Sequence, residues 1–200
     1  MAIITGANCR LYIRGLSGTA EDSNLEIMVD RVDAMIARWL GWPLNAAGKY
    51  TVASGSYVLY LTGNGTKSLH LPIFPVSSVA SIYDDPDLAY DDSADLVAAS
   101  DYTLYGNEGL VQLKKDSVHG EWSQVSRALK VSITAGFATI PAEVKQAVAL
   151  QVAHIWQARD HVGRSKVSQG GGSIEVAGLG LLPEVREAVA PFRIASSWIG

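Results

Sequence analysis

The hydrophobic residues of this 200-residue chain follow a helical period in two stretches and a strand-like period in the long segment between them. Apolar residues spaced three and four apart lie on one face of a helix, whereas strict alternation with polar residues indicates a strand. The helical stretches begin near residues 23 and 141, and the strand-like segment covers 44–136. This order predicts an α+β fold, with a small helical core of two long helices and a short C-terminal helix, and an inserted antiparallel β subdomain.

The first helix is predicted to begin near Ser23, because Ser23 and Glu26 have the spacing of a capping box. Its end is predicted at Gly41, which suits the left-handed C-terminal position, and the following Pro43 does not continue a helix. Its apolar stripe is Leu25, Met28, Val29, Val32, Met35, Ile36, Trp39 and Leu40.

The second long helix is predicted to begin at Pro141, because proline suits the first helical position, and to end near His161. A short third helix is predicted from Pro183, with Val185, Ala188 and Val189 facing inward. The two long helices are expected to share one core made of Leu25, Val29, Val32, Ile36, Leu150, Val152 and Ile155.

Five or six short strands are predicted between the long helices. Asn64–Gly65, a dipeptide that favours tight turns, is expected to join 57–61 to 68–71 in a hairpin. A further strand is expected over 76–83. The remaining strands are 102–105 and 110–113, joined in a second hairpin, and 127–134, in which Leu129, Val131 and Ile133 alternate. This spacing favours a small antiparallel sheet or barrel.

The predicted elements divide the chain into five segments. They are 1–43, an N-terminal segment and the first core helix; 44–136, the β subdomain; 137–162, the second core helix; 163–182, a glycine-rich loop; and 183–200, a short helix and a tail. Three consecutive glycines in the fourth segment predict a flexible loop without packed structure.

Charge and composition restrict the partners of the chain. Sixteen Lys and Arg against twenty Asp and Glu give a formal net charge of −4, which argues against a tight grip on nucleic acid phosphates. A single cysteine, Cys9, excludes an intramolecular disulfide framework. The chain has no apolar run long enough to span a bilayer and no secretory signal, so we expect a soluble protein made and kept inside a cell.

Six aspartates lie within twelve residues of the β segment: Asp84, Asp85, Asp87, Asp91, Asp92 and Asp95. A helix–loop–helix calcium site would need a central glycine and a closing glutamate, which this run lacks. Two interpretations remain open, a solvated turn between strands and an acidic rim that repels nucleic acid or meets a basic partner.

The sequence offers no catalytic or metal-binding pattern. The four histidines have no metal-ligand spacing, and no serine lies in a nucleophile turn. The segment 63–68 lacks the glycine that a phosphate-binding loop needs before Lys67. We therefore expect no cofactor, no metal and no catalytic residue, and a binding or structural role.

Five segments together resemble one family of proteins. They are Trp39–Pro43, Pro75–Asp85, Val131–Phe137, Ile140–Ala147 and His154–Asp160. In order and composition they resemble the head–tail connector (adaptor, or head-completion) proteins of tailed bacteriophages and gene transfer agents, from about Leu25 to Arg193. The long β insertion and the glycine-rich loop depart from that pattern.

The resemblance implies a structural protein of the virion at the head–tail joint, present in the host cytoplasm during assembly. Such proteins form a ring of identical subunits, typically twelve, beneath the portal protein. They carry a tail-side connector or stopper protein. DNA passes through the ring without specific binding, and no membrane is among the partners. Within the ring, the expected subunit contact loop comprises Arg164, Lys166, Gly170, Gly171 and Gly172.

The C-terminal tail is expected to dock on the portal, as the resemblance implies. Pro191 stops the preceding helix, and the tail is too short to bury its own apolar side chains. Its docking residues would be Phe192, Arg193, Ile194, Trp198 and Ile199. Folding of Trp198 back onto the core is the alternative. Two other functions also stay open: a small-molecule-binding or hydrolytic enzyme with its site in the β subdomain, and a monomeric interaction module.

Overall fold

The structure, a computed structural model, divides into two compact units and describes residues 3–159, 166–169, 172–175 and 180–194. One unit comprises Met1–Leu40 and Ile140–Arg193, and the other comprises Gly41–Thr139 with the segment that begins at Ile194. For 166–169 and 172–175 the description covers the backbone. Helices combined with antiparallel sheets confirm the α+β class. In the described part of the chain, no helix has the length and apolar composition that crossing a membrane requires.

The described residues of the first unit contain four α-helices: α1 (Gly6–Arg10), α2 (Asp22–Trp39), α3 (Ala142–Ala158) and α4 (Pro183–Val189). α2 packs on α1 and α3, and α3 packs on α4. Burial of apolar side chains between these helices is the main source of stability for such a unit. The buried set includes Leu25, Val29, Val32, Ile36, Val144, Val148, Val152, Val185 and Val189.

The start of α2 differs from the predicted capping box. The helix begins at Asp22, one residue before Ser23, and its N-cap Glu21 makes no side-chain capping bond. Asp22 instead forms an ion pair with Arg10 of α1, with Nη1 and Oδ1 2.8 Å apart. An ion pair between α1 and α2 is therefore found where a capping box within α2 was predicted, and Ser23 lies inside the first turn of α2.

Two residues of α3 that were predicted for the core, Leu150 and Ile155, lie partly outside it. Leu150 is 39% exposed and Ile155 is half-buried, so neither is the fully buried core residue that was expected. The interior position is taken by Gln151, which is completely buried. Leu150 lies seven residues from both Glu143 and Gln157, which are exposed, and residues seven apart share one face of a helix.

Two three-stranded antiparallel sheets form the second unit. The first has the order β1-β6-β3, and the second has the order β2-β5-β4. The strands are β1 (Gly55–Leu61), β2 (Ser68–His70), β3 (Val76–Asp84), β4 (Tyr102–Tyr105), β5 (Leu110–Leu113) and β6 (Leu129–Ala135). Leu129, Val131 and Ile133 alternate inward as predicted, and the hairpin of β4 and β5 is confirmed.

Asn64–Gly65 does not join two paired strands, so the first predicted hairpin is wrong. β1 pairs with β6 and β2 pairs with β5, because the chain crosses from one sheet to the other after β1. Asn64 Oδ1 accepts a hydrogen bond from the Thr66 N–H at 3.1 Å, and the Gly65 N–H donates to the Trp122 carbonyl at 3.2 Å. The dipeptide forms a turn, as its composition favours, but the turn is anchored on buried Trp122.

The glycine-rich segment contains a hairpin where a loop without secondary structure was expected. β7 (Lys166–Gln169) pairs antiparallel with β8 (Gly172–Glu175), with Lys166 opposite Glu175. Each strand contains a β-branched apolar residue, Val167 in one and Ile174 in the other. These β-forming residues on both sides of the glycines explain why strands form there.

Candidate interaction surfaces

The acidic segment is organised around one inward-facing carboxylate, Asp85. Its Oδ1 accepts from the Asp87 N–H at 2.7 Å, and its Oδ2 accepts from Ala89 and Tyr90 N–H at 2.8 and 2.6 Å. These bonds, above all the one from Tyr90, hold the pKa of Asp85 below its ordinary value. Leu88 and Tyr90 both adopt positive φ, as the tight loop around the carboxylate requires. Asp85 is therefore a structural residue of the loop.

Asp84 lies beside Asp85 in a less favourable environment. Its Oδ2 accepts from the Ser123 N–H at 3.2 Å, while its Oδ1 is buried without a hydrogen-bond partner in the described part of the chain. Burial raises the pKa of Asp84, although the bond from Ser123 and the nearby charge of His119 oppose this effect. Asp84 therefore carries its negative charge at a cost to stability.

The other four aspartates form the part of the acidic segment that faces solvent. Asp87, Asp91 and Asp92 are exposed, and Asp95 is half-buried. Asp92 Oδ1 accepts from the Ala94 N–H at 2.8 Å and caps a short 3₁₀ turn. Burial, followed by the neighbouring aspartates, raises the pKa of Asp95. We call these four residues the acidic rim.

The predicted docking tail begins with residues that contact the subunit itself. The Arg193 guanidinium carbon lies 5.3 Å from the centroid of the Trp39 ring. Phe192 is half-buried, and Ile194 is only 6% exposed, so Ile194 does not present the free apolar surface that was expected of it. Trp198 and Ile199 lie outside the described residues. Burial therefore removes Ile194 from the apolar surface that the tail can offer to a partner.

The predicted subunit contact loop is only partly described. Lys166 opens β7 and Gly172 opens β8. Arg164, Gly170 and Gly171 lie outside the described residues. The described backbone therefore presents a strand pair, rather than an irregular loop, to any neighbour.

A cluster of tyrosines and cations on the β1-β6-β3 sheet was missed by the sequence reasoning. The Tyr60 and Tyr90 ring centroids are 5.4 Å apart, and the Arg127 guanidinium carbon lies 5.1 Å from the Tyr60 centroid. Lys130 Nζ lies 5.3 Å from the Tyr90 centroid and 5.7 Å from that of Tyr83. Such contacts hold the cations against the rings. The outward positions of Tyr60 and Lys130 follow from strand alternation, but their pairing depends on the register, which the sequence does not reveal.

An open groove of about 370 Å³ lies between α1 and α3. Its lining includes Leu11 and Tyr12, which are exposed apolar side chains, together with the cation Lys145 and the amide of Gln146. The lining contains no acidic residue, so it offers no carboxylate to work as an acid or base. The groove therefore combines exposed apolar side chains with one cation, Lys145.

The described residues offer no metal centre, since they contain no group of three or more His, Cys, Asp or Glu side chains that could hold an ion. Cys9 is buried, and burial raises the pKa of its thiol to about 11. The thiol is therefore almost entirely protonated at neutral pH and is a poor nucleophile.

The fold is similar to that of chains solved in gene transfer agent (GTA) particles. A chain from the neck of an empty GTA particle, computed with C6 symmetry, is 21% identical, with a TM-score of 0.59, over 99% of this chain and 93% of that one. A chain from the virion of a native GTA particle is 21% identical, with a TM-score of 0.55 and the same coverage. A chain from the neck of a native GTA particle, computed with C12 symmetry, is 19% identical, with a TM-score of 0.50, over 97% and 90%. The comparison with curated proteins gives no match.

Family assignment rests on the sequence itself. The profile of the head completion protein family matches residues 2–195, which is nearly the whole chain. The segments that carry the resemblance, from Trp39–Pro43 to His154–Asp160, all lie within this range. The match confirms the expected role of a structural head–tail connector in a phage-like particle, as opposed to an enzyme. The chain belongs to the head completion protein family.

Proposed function

We propose that this chain forms a ring of identical subunits at the head–tail joint, which docks on the portal protein and carries a tail-side connector or stopper protein. The family match over residues 2–195 is the observation that carries the proposal. Similarity in fold to chains from GTA necks supports it, because those chains belong to the part of a particle that lies between head and tail. We propose that the ring contains twelve subunits.

The helical unit is the proposed scaffold of each subunit in this ring. A closed cyclic ring uses heterologous contacts, so each subunit needs two unlike surfaces. α2 and α3, with the short α4, supply a rigid core, because their buried residues lock the helices together. The exposed groove between α1 and α3 and the strands of the β unit supply surfaces of different character.

Passage of DNA through the ring requires a surface that does not adhere to phosphate. The formal net charge of −4 and the acidic rim both disfavour such adhesion. We propose that the acidic rim either lines the channel or meets a basic partner. Asp85 takes no part in either role, because its carboxylate is turned inward.

Docking on the portal is assigned to the C-terminal tail. Arg193 is exposed and can exchange its contact with Trp39 for a partner carboxylate. Trp198 and Ile199 are the proposed apolar anchors, since aromatic residues and arginine dominate binding energy at interfaces. Ile194 is assigned to the subunit itself because it is buried.

The direct test is to mix the purified full chain with portal rings from the same genome and to image the products by electron microscopy. The expected result is an added ring of this chain on one face of the portal, with rotational symmetry. A free chain that is monomeric is compatible with the proposal, since the portal can template the ring. Failure to bind the portal, measured by sizing and by imaging, would refute the proposed function.

A further inference from the structure

One edge of the β1-β6-β3 sheet is open. β1 is an outer strand, and its inward edge is fully used by β6 from Gly55 to Leu61. The Ala46 N–H donates to the Ser56 carbonyl at 2.7 Å, so the backbone groups of Ser56 face away from β6. Val58 and Tyr60 share this orientation because alternate residues of a strand point the same way. Among the described residues, no backbone group bonds to the outward N–H and carbonyl groups of Val58 and Tyr60.

The opposite edge of the same sheet is protected. β3 has register shifts between Val76 and Ser78 and between Val79 and Ser81, and such bulges discourage strand addition. Its outer edge is also covered, since Val97 N–H donates to the Ile82 carbonyl at 2.9 Å. β1 has no bulge in its register with β6. The contrast between the two edges marks β1 as the place where a strand can be added.

Val58 and Tyr60 strengthen this interpretation, because they are 44% and 41% exposed. Natural edge strands that must stay free are usually short or carry inward-pointing charges, prolines or bulges. β1 extends over seven residues and contains none of these devices. It is therefore suited to binding another strand through its backbone and packing that strand against exposed apolar side chains.

The β7–β8 hairpin is a strand pair that lacks a third strand. Its two strands pair only with one another among the described residues. A two-stranded hairpin is marginally stable in water unless it gains a further strand or a packed face. Each of its strands is four residues long, which is enough to pair with the segment of β1 that contains Val58 and Tyr60.

We propose that the β7–β8 hairpin of one copy of this chain adds to the free edge of β1 in the next copy. The inference rests on the proposed function, because it assigns the contact between neighbouring subunits of the ring. The two surfaces are unlike, as heterologous contacts in a closed ring require. Each copy contributes one hairpin and one β1 edge, so the contact can repeat around the ring without leaving either surface unpaired.

The first experiment blocks the edge with Val58→Pro. Proline removes the outward N–H and places its ring on the edge, while the ladder between β1 and β6 does not use that N–H. The matched control is Ala80→Pro, which places proline at the bulge of the covered strand β3. Circular dichroism and thermal unfolding check that both variants fold. We expect Val58→Pro to lose ring assembly on the portal and Ala80→Pro to keep it.

The second experiment identifies the occupant and does not depend on how Val58→Pro folds. Portal-bound rings are assembled from a mixture of Val58→Cys chains with either Ser168→Cys or Ser173→Cys chains. A short thiol crosslinker is then added. It is long enough to join the two cysteines even if the strands pair about 7 Å out of the expected register. Ser168 reports β7, and its register partner Ser173 reports β8. Cys9 stays in place because it is buried.

The expected product joins Val58→Cys of one chain to one of the two hairpin variants, whereas Ala80→Cys gives no such product. Two results would overturn the proposal. The first is normal ring formation by Val58→Pro chains. The second is a yield of crosslinks to the hairpin that is no higher from position 58 than from position 80. These results leave the proposed function intact, because the rings still form. If wild-type chains form no ring on the portal, the proposed function fails together with this contact.

Discussion

Gln151 ties the start of α4 to the middle of α3, and its replacement tests how the helical unit is held together. Its side chain is 0% exposed. Nε2–H donates to the Gly180 carbonyl at 3.0 Å, and Oε1 accepts from the Leu182 N–H at 2.9 Å. Leu182 is the N-cap of α4. One buried amide therefore satisfies two backbone groups that precede the helix.

We expect Gln151→Glu to lower the free energy of unfolding by about 3–6 kcal/mol at pH 7. The carboxylate still accepts from the Leu182 N–H, but its second oxygen has no donor and faces the Gly180 carbonyl; a buried unpaired oxygen costs about 1–3 kcal/mol. Burial also raises the pKa of the introduced carboxyl. A rise of about two units adds roughly 2.7 kcal/mol to the loss at neutral pH.

The loss is expected to shrink in acid. The folded-state pKa of the introduced carboxyl lies above its unfolded value of about 4.3, so the folded state binds the proton more tightly. Stability is therefore regained as the pH falls through the folded pKa towards the unfolded value. The protonated carboxyl also supplies an O–H that can donate to the Gly180 carbonyl.

The assay is chemical unfolding at pH 7 and pH 5, followed by circular dichroism. Gln157→Glu is the matched control, because it makes the same change at an exposed position of the same helix. We expect the control to stay within about 0.5 kcal/mol of the wild type at both pH values. Equal stability of the two variants at pH 7, or a loss at position 151 that is the same at pH 5, would refute the reasoning.

Three further predictions concern separate parts of the chain. Ile36→Ala in α2 should cost about 2–5 kcal/mol in chemical unfolding, because Ile36 is fully buried, whereas Ile27→Ala on the exposed face of the same helix should cost less than about 0.5 kcal/mol. Equal losses would contradict the assigned face. Asp84→Asn should raise the thermal midpoint at pH 7 and have less effect at pH 4. Because the pKa of Asp84 is raised in the folded state, its charge destabilises the fold once the pH rises above the pKa of the unfolded state. A gain in the midpoint that does not depend on pH would count against this account. Deletion of residues 196–200 should abolish attachment to portal-containing heads and leave the thermal unfolding of the free subunit nearly unchanged; a large drop in the unfolding temperature would assign the tail to the core.

The elements with strong periodicity were predictable from the sequence. The stripe from Leu25 to Leu40 and the alternation in β6 depend on many residues that agree with one another, so single errors do not change the outcome. The left-handed position of Gly41, with φ 82°, also follows from local chemistry. Sequence patterns of this kind place secondary structure well because they reflect which face of an element is buried.

Pairing between distant segments was not predictable in the same way. Asn64–Gly65 forms a turn, but strand partners depend on the segments near Val111 and Val131, which lie far along the chain. The hairpin prediction assumed that neighbouring strands pair, and the crossing between two sheets breaks that assumption. At β7 and β8 the error was the opposite one: the glycine content predicted a loop, whereas the flanking β-branched residues favour the strand pair that is found.

The acidic segment shows why surface function is harder to predict than the fold. Composition treats its six aspartates as equivalent, yet the structure separates them by the donors that surround each carboxylate. Asp85 accepts three backbone N–H groups and builds the loop, whereas one buried oxygen of Asp84 has no hydrogen-bond partner among the described residues. The proposed action on DNA or on a partner is therefore limited to the four residues of the acidic rim. Neutralising Asp85 would therefore disturb the loop itself, and the charge of the rim is tested properly only by changing its exposed members, such as Asp87 and Asp91.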